Sequence, residues 1–310
     1  MDQDHVDLLA MCRVPGVVWH FLAREAQRPE GMERLRAGRS VEESTDAAKS
    51  LAALASARGD LGERQRTVKE MLEGALADGI RLTTVLDDDY PVNLRTIYNL
   101  PPFLFYKGTL RPDDALSVAV VGTRQASADG LSRARRMARL LVDARVTVLS
   151  GLARGIDTVA HQTCLDAGGR TIAVLGSGIR RIYPPENKEL AEQITENGAI
   201  VSQFWPDAPP TSYTFPRRNV VTSGMSQGTV VIEASATSGA KMQARLAVEH
   251  GKQVFLLHSL VAEREWAQKY LERPRVHEVN DVADIVRLLR SAAEQRSRAL
   301  ERVQTPLTLF

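Results

Sequence analysis

At 310 residues, the chain is long enough for one sizeable α/β domain and a smaller one, and its 44% hydrophobic and 25% charged residues are typical of a globular protein. A formal net charge of +2 does not by itself indicate a nucleic-acid-binding protein, so any basic surface must be local. Cys12 and Cys164 lie in apolar helical sequence, which indicates buried thiols instead of a disulfide or a metal site. Neither a membrane-spanning apolar run nor a signal-peptide pattern occurs, so we expect a cytoplasmic protein.

Residues 1–79 are predicted to form a small helical domain. Apolar residues recur there at helical spacing, with helices over 44–57 and 61–77. The segment LAMCRVPGVVWHFL has the layout of a helix-hairpin-helix, a module whose backbone N–H groups contact DNA phosphates. Val18 replaces the second glycine of that hairpin, so a helical bundle with a tight turn is the alternative.

Residues 80–110 are predicted to form a strand, an acidic turn, a short helix and a second strand after Pro101 and Pro102. A metal ion bound at the Asp87–Asp89 run is one interpretation of the acidic turn. Contiguous aspartates on a turn more often cap the next helix, so we expect neither a metal nor a cofactor.

From residue 117 onward, short β-branched runs alternate with helical sequence. This pattern predicts an α/β fold with a Rossmann-like, doubly wound and mostly parallel sheet in a domain over 80–290. Further helices are predicted over 263–272 and 280–298, and residues 291–310 are predicted to be a helix end and a flexible tail. The predicted strands are Ser117–Val121, Thr147–Ser150, Thr171–Leu175, Ala199–Ser202, Thr229–Glu233 and Gln253–Leu257.

The glycine-containing turns after these strands must lie at the carboxyl edge of the sheet, where such folds bind ligands. The dinucleotide fingerprint G-x-G-x-x-G is absent after the first strand of the run, which argues against an NAD-dependent dehydrogenase. A Gly-Lys-Ser/Thr phosphate loop is absent as well, which argues against a P-loop ATPase.

The first two of these loops carry side chains suited to phosphate groups. Arg124 and Arg154 offer planar guanidinium groups that match phosphate oxygens, and Ser127 and Ser150 offer hydroxyl donors. An ion pair between Arg124 and Asp157 is the alternative for the first arginine. The two loops together predict a phosphate-binding cradle.

Backbone and helix residues around the second loop allow two interpretations. Gly151 and Gly155 would let backbone amides approach an anion. Asp157 and His161 are one helical turn apart and could form an acid–base pair. An aspartate in this position more often caps the loop, and a lone histidine more often packs inside, so we expect no enzyme.

The run FPRRN places Arg217, Arg218 and Asn219 directly after Phe215 and Pro216. Two cations beside an aromatic ring suit a nucleic acid strand whose phosphates are neutralised while a base stacks. Arginine at the beginning of a helix opposes the helix dipole, which favours a bound anion over an ordinary helix start.

Five segments of the sequence resemble those of a known family. VAVVGTR, SGLARGIDTVAH, GGRTIAVLGSGIRRIYPPEN, FPRRN and SGAKMQARLAVEHGKQVF are similar to segments of the DprA/Smf family of bacterial DNA-processing proteins, over about residues 5–260. The resemblance implies a homodimer that binds single-stranded DNA without sequence preference and loads a RecA-like recombinase. The DNA-facing positions that it implies are Gly122, Thr123, Arg124, Ser150, Gly151, Arg154, Gly155, Arg217, Arg218 and Asn219.

The C-terminal third departs from the family pattern. The Pro-Gly turn that usually follows Phe255 is replaced by LLHSLVAEREWAQKYLERPRVHEV, with Trp266 and Tyr270 on one helical face. A role as an adaptor that captures a partner through these aromatic residues is therefore a further hypothesis, as is a role in defence against foreign DNA.

An enzymatic alternative rests on Gly228, Thr229 and Glu233. Nucleotide phosphoribohydrolases and nucleotide sensors of the wider Rossmann-like superfamily carry a similar Gly-Thr and glutamate, and a carboxylate there could stabilise an oxocarbenium-like transition state. The spacing is one residue longer in this chain, which favours a structural role for Glu233.

The terminal QTPLTLF resembles peptides that dock on the bacterial sliding clamp. Leu307, Leu309 and Phe310 could insert into a groove on such a partner, or could fold back on the protein's own core.

Overall fold

A nine-stranded sheet organises the computed structural model, which describes residues 2–291. Its strand order is β1-β2-β6-β5-β4-β3-β7-β8-β9. The strands are β1 (Arg81–Thr84), β2 (Phe103–Gly108), β3 (Ser117–Val121), β4 (Thr147–Ser150), β5 (Thr171–Val174), β6 (Ala199–Ser202), β7 (Gly228–Val231), β8 (Gln253–Leu257) and β9 (Val276–Val279).

Strands β3 to β9 are parallel, and β2 joins β6 in antiparallel register with β1 outside it. The chain runs outward from β3 through β4, β5 and β6, and then returns to the other side of β3 with β7, β8 and β9. The strand order therefore reverses between β3 and β7, the place where doubly wound sheets bind ligands. The predicted fold class is confirmed.

Helices precede the sheet and cover both of its faces. The helices are α1 (Gln3–Cys12), α2 (Trp19–Ala26), α3 (Gly31–Arg36), α4 (Thr45–Ser56), α5 (Leu61–Ala77), α6 (Ala128–Asp143), α7 (Ile156–Asp166), α8 (Lys188–Asn197), α9 (Thr214–Met225), α10 (Gly239–Glu249), α11 (His258–Glu263), α12 (Glu265–Tyr270) and α13 (282–291). In residues 2–291, no helix combines the length and the apolar composition that crossing a membrane requires.

The central strands are predictable because both of their faces are covered. Every residue of β3, β4, β5 and β6 is buried, which explains their continuous runs of small and β-branched residues. Cys164 is buried against this core from α7, and burial raises the pKa of its thiol to about 12. Its predicted location as a buried thiol is confirmed, as is that of Cys12 in α1.

The N-terminal helices follow the predicted pattern, with one addition. Helix α4 begins where the Ser44 hydroxyl accepts a hydrogen bond from the Ala47 amide at 3.1 Å, and α5 matches the predicted 61–77. The short helix α3 was not predicted. Helices extend to Ala77 and β1 begins at Arg81, while the division into separate domains at 79/80 stays a prediction.

The predicted helix over 263–272 is wrong in its extent. Two short helices, α11 and α12, replace it and meet at Arg264, whose backbone is extended. Strand β9 follows them at the edge of the sheet and was not predicted, because only four residues, VHEV, carry its pattern. Residues 292–310 lie outside the described residues, and so do the sliding-clamp prediction for Leu307, Leu309 and Phe310 and the predicted flexible tail.

Candidate nucleic-acid interface

A cavity of about 720 Å³ opens at the carboxyl edge of the sheet, where the strand order reverses. Its walls are the loops after β3, β4 and β7, together with the beginnings of α9 and α10. We call this arrangement of loops the cradle. Polar loops and helix beginnings at this position are what a phosphate-binding site requires.

The loop after β3 is held by Glu233, which lies two residues beyond the end of β7. The Glu233 carboxylate accepts hydrogen bonds from the Ser127 hydroxyl at 2.8 Å and the Ser127 amide at 3.2 Å. The Ser127 hydroxyl also accepts from the Gly130 amide and so caps α6. The Ser127 hydroxyl is thus used within the protein, where it caps α6 and bonds Glu233, instead of donating to a phosphate as predicted.

The loop after β4 is closed by Asp157 from the first turn of α7. Its buried carboxylate accepts hydrogen bonds from the amides of Gly151 at 3.1 Å and Ala153 at 3.4 Å. Desolvation raises the pKa of this carboxyl, while the loop amides and the positive charge of Arg218 oppose the rise. The predicted loop-capping role of Asp157 is confirmed, and the Gly151 amide is not available to an external anion.

Gly155 is required by the contact between the two loops. Its φ is +75°, and a Cβ there would lie 2.5 Å from the Thr123 carbonyl oxygen and 2.7 Å from that of Arg124. Gly122 packs in the same way against Ile156 of α7. The glycines therefore set the separation of the loops, which differs from the predicted purpose of admitting an anion to their amides.

Arg218 lies beneath the cradle with only 8% of its surface exposed. Its Nη1 donates to the carbonyl oxygens of Gly151 at 2.5 Å and Val174 at 2.9 Å, and its Nε donates to Asn219 Oδ1 at 3.0 Å. Burial lowers the pKa of this guanidinium, and the neighbouring Asp157 opposes the effect. The side chain ties together the ends of β4 and β5 at the floor of the cavity, and its contact with DNA stays a prediction.

Ser150 also has a structural role. It is fully buried, and its hydroxyl donates to the Val120 carbonyl oxygen at 2.7 Å. The predicted phosphate contact of this hydroxyl is wrong because the side chain points into the sheet and not toward the loop surface.

The exposed cations at the mouth of the cradle are Arg124 and Arg154. The Arg124 guanidinium carbon lies 5.3 Å from the centre of the Phe215 ring, which in turn packs against Tyr183 at 5.8 Å. Arg154 is an exposed neighbour that forms an ion pair with Glu186. The structure thus brings two guanidinium groups and two aromatic rings to one opening, with Asn219 in the cavity wall.

Arg217 faces elsewhere. Its guanidinium carbon lies 5.3 Å from the centre of the Trp19 ring in the N-terminal helices, and it is not part of the cavity wall. Phe215 and Arg217 are two residues apart on α9, so their side chains leave the helix on roughly opposite sides. The Arg217 side chain therefore lies outside the cavity that Arg124 and Arg154 line, and its contact with DNA stays a prediction.

The positions of His161 and of the Asp87–Asp89 run do not support the acid–base pair or the metal site that were considered for them. His161 is fully buried and its Nδ1 lies 2.7 Å from the Thr171 hydroxyl instead of facing Asp157, and burial lowers its pKa to about 3. At the acidic turn, Asp87 accepts from the Thr84 amide at 2.8 Å and Asp89 accepts from the Thr83 hydroxyl at 2.6 Å. These aspartates bond back to the end of β1 and hold the turn. The next helical turn, Leu94–Thr96, has no side-chain cap among residues 2–291, so the prediction that they cap the next helix is wrong.

The helical hairpin at Pro15 and Gly16 uses its amides internally. The Val17 amide donates to the Val14 carbonyl oxygen and the Val18 amide donates to the Ser50 hydroxyl. The structure therefore favours the tight-turn interpretation of this hairpin over contact between its amides and phosphate.

Trp266 and Tyr270 share a helical face, as predicted, and their rings meet edge to face at 5.4 Å. They are only 9% and 7% exposed, and the Trp266 indole donates to the Ala234 carbonyl oxygen at 3.3 Å. The hypothesis that they capture a partner is wrong, because they fix the α12 segment to the loop after β7. Sequence reasoning missed the exposed Tyr183, whose only signal is its place in the loop after β5, within the family-like segment.

Comparisons with known proteins agree with this arrangement. The model of the family described as DNA recombination-mediator protein A matches residues 81–290. Protein Smf of Escherichia coli is 44% identical over 54% of this chain and 45% of its own length. The DNA processing protein DprA of Streptococcus pneumoniae is 39% identical over 56% of this chain and 61% of its own length. The chain thus spans about half the length of the curated relatives that it matches.

Two solved structures share the fold. The crystal structure of DprA from Streptococcus pneumoniae superposes with a TM-score of 0.70 at 26% identity, covering 92% of this chain and 98% of the other. A structure describing the single-stranded DNA binding mode of DprA from Helicobacter pylori gives a TM-score of 0.60 at 25% identity, covering 68% and 97%. The predicted resemblance is confirmed, and the chain belongs to the DNA recombination-mediator protein A family.

Proposed function

We propose that the chain binds single-stranded DNA without sequence preference, with the mouth of the cradle as the contact surface. Membership of a DNA recombination family supports this function, and the binding mode named for the Helicobacter pylori relative supports the choice of a single strand. The observation that carries the proposal is the state of Arg124. Within residues 2–291 no carboxylate lies at ion-pair distance from its exposed guanidinium, so its charge is available to an anion.

The surroundings of Arg124 suit a phosphate. The alternative partner Asp157 is engaged by loop amides, and Phe215 holds the guanidinium plane beside the opening. A fork-shaped donor that is fixed in this way binds two phosphate oxygens with little loss of side-chain freedom. Tyr183 and Phe215 provide ring surfaces on which bases can stack whatever their identity, which is why we propose binding without sequence preference.

The test is a titration of labelled single strands with the wild type and with Arg124→Gln. Loss of one phosphate contact should weaken binding about tenfold for thymine-rich, adenine-rich and mixed strands alike, and should reduce the salt slope by about 0.7. Arg39→Gln, which removes an exposed charge from the loop between α3 and α4, is the matched control. Equal binding by the Arg124 variant and the wild type would overturn the assignment of the site.

The proposal extends to partners. The family suggests that the strand is passed to a RecA-like recombinase and that the protein acts as a homodimer. A cradle that holds phosphates and leaves base edges accessible suits such a transfer. Sedimentation at micromolar concentration should show a dimer, and the Arg124 variant should load less recombinase on a strand; a monomer, or unchanged loading, would remove the corresponding part of the proposal.

A further inference from the structure

Aromatic side chains from the helical N-terminal segment and the sheet meet beside α9. Trp205, after β6, packs against Phe103 at 4.8 Å between ring centres, and Trp19 of α2 meets Trp205 edge to face at 5.8 Å. Phe105 completes the cluster. Both indoles are half-buried, so they lie at a surface and not in the core. We call this cluster of four rings the aromatic junction.

Two arginines are held against the indoles of the aromatic junction. The guanidinium carbon of Arg13 lies 4.8 Å from the centre of the Trp205 ring, and that of Arg217 lies 5.3 Å from the centre of the Trp19 ring. These indoles fix the two charged groups in position. Partial desolvation lowers the pKa of Arg217, while the residue keeps an exposed surface.

Neither charge is neutralised within residues 2–291, where no carboxylate lies at ion-pair distance from Arg13 or Arg217. Nearby acidic side chains are already used. Asp207, two residues after Trp205, pairs with Arg180 at 2.8 Å. Two guanidinium groups that are already ordered and have no carboxylate partner in the part of the chain that the structure describes suit an anionic ligand. Binding then costs little further side-chain conformational entropy.

The aromatic junction lies on the same edge of the sheet as the cradle. Trp205 follows the carboxyl end of β6, and β6 is two strands from β4 in the sheet order. Between them, Phe215 packs over Gly176, which follows β5. The row therefore passes from Arg124 on Phe215, across the first turn of α9, to Arg217 and Arg13. Arg124 follows β3, and β3 is three strands from β6, a separation of about 14 Å at the spacing of neighbouring strands.

We infer that a DNA single strand leaving the cradle crosses the first turn of α9 and places its next phosphates on Arg217 and Arg13. The surface is thus a second electrostatic contact for the same strand, supplied jointly by the N-terminal helices and the sheet. This inference rests on the proposed function of the cradle. It assigns the hairpin a nucleic-acid contact through the Arg13 side chain instead of the turn amides.

The test compares two strand lengths, since only a strand longer than the cradle can reach the aromatic junction. Homopolymers of about 6 and about 20 thymidines are titrated against the full chain, lengths that bracket the usual range of single-strand sites. Arg13→Gln should weaken binding of the longer strand about three- to tenfold, reduce its salt slope by about 0.7, and leave the shorter strand unaffected. Arg39→Gln, on the same helical segment, should change neither.

Arg13→Gln removes the charge and its contact with the Trp205 ring, while the Arg13 carbonyl that accepts from Arg64 remains. A thermal unfolding midpoint equal to that of the wild type will exclude general destabilisation as the cause, and Arg217→Gln gives a second variant with the same expected length dependence. Equal loss for both strands, or no loss for the longer one, would overturn the inference. Failure of the cradle itself is distinguishable, because Arg124→Gln would then leave the shorter strand bound normally.

Discussion

Neighbouring residues of one motif have opposite roles in this protein. Arg217 and Arg218 are adjacent in FPRRN, but the first is exposed over Trp19 and the second is buried under Gly151. The sequence identifies the motif and its charge. It does not tell which arginine faces solvent, because successive side chains on a helix point about 100° apart and the partners lie far away in the chain.

Substitutions at Arg217 and Arg218 should differ in their effect on the free energy of unfolding. Arg218→Ala leaves two carbonyl groups and the Asp157 carboxylate without their buried cation, so we expect the free energy of unfolding to fall by about 3 kcal/mol. Arg217→Ala should cost less than about 1 kcal/mol. Urea unfolding of both variants measures the difference, and similar losses at both positions would contradict the assigned roles.

Among the strands, those that are buried on both faces were predicted more accurately than the strand at the edge of the sheet. Strands β3, β4, β6 and β8 have the predicted bounds because their apolar runs are continuous, whereas the edge strand β9 carries too little pattern to be recognised. The loops were located correctly by their glycines. Their internal hydrogen bonds, such as Asp157 to Gly151, depend on tertiary contacts that sequence spacing does not reveal.

Glu233 connects the segment after β7 to the loop after β3. Substitutions at Glu233 also test the alternative that the protein is a phosphoribohydrolase. Glu233→Ala removes both bonds to Ser127, so unfolding should become easier by about 1–2 kcal/mol, while Glu233→Gln keeps an acceptor and should cost less than about 1 kcal/mol. We expect no free base from a nucleoside monophosphate with the wild type. Release of base that is lost in a folded Glu233→Gln variant would establish the phosphoribohydrolase instead.

At the scale of the whole molecule, the N-terminal helices are attached to the sheet by specific polar contacts. His5 of α1 lies 2.8 Å from Asp87 in the turn after β1, and it also bonds Asp2. The bond to Asp87 raises the pKa of His5 to about 9, and burial opposes this rise. The pairing of His5 with Asp87 is not visible in the sequence, since 82 residues separate the two partners.

Stability should therefore depend on pH through His5. A histidine whose pKa is raised by folding from 6.5 to about 9 stabilises the fold fully below pH 6.5, and this contribution disappears as the pH rises through about 9. It amounts to at most about 3 kcal/mol, less the screening that the exposed Asp2 allows.

Urea unfolding of the wild type and His5→Gln between about pH 6 and about pH 10 measures this contribution. The two curves should converge at the alkaline end. Parallel curves across the whole range would contradict the proposed attachment through His5 and Asp87.

We propose that a DNA single strand lies at the carboxyl edge of the sheet. The most direct measurement is a crystal structure of the protein with a short thymidine oligomer. We predict a phosphate within about 3 Å of the Arg124 guanidinium and a base against Phe215 or Tyr183. A strand bound on another surface, with the cradle empty of phosphate, would contradict the account.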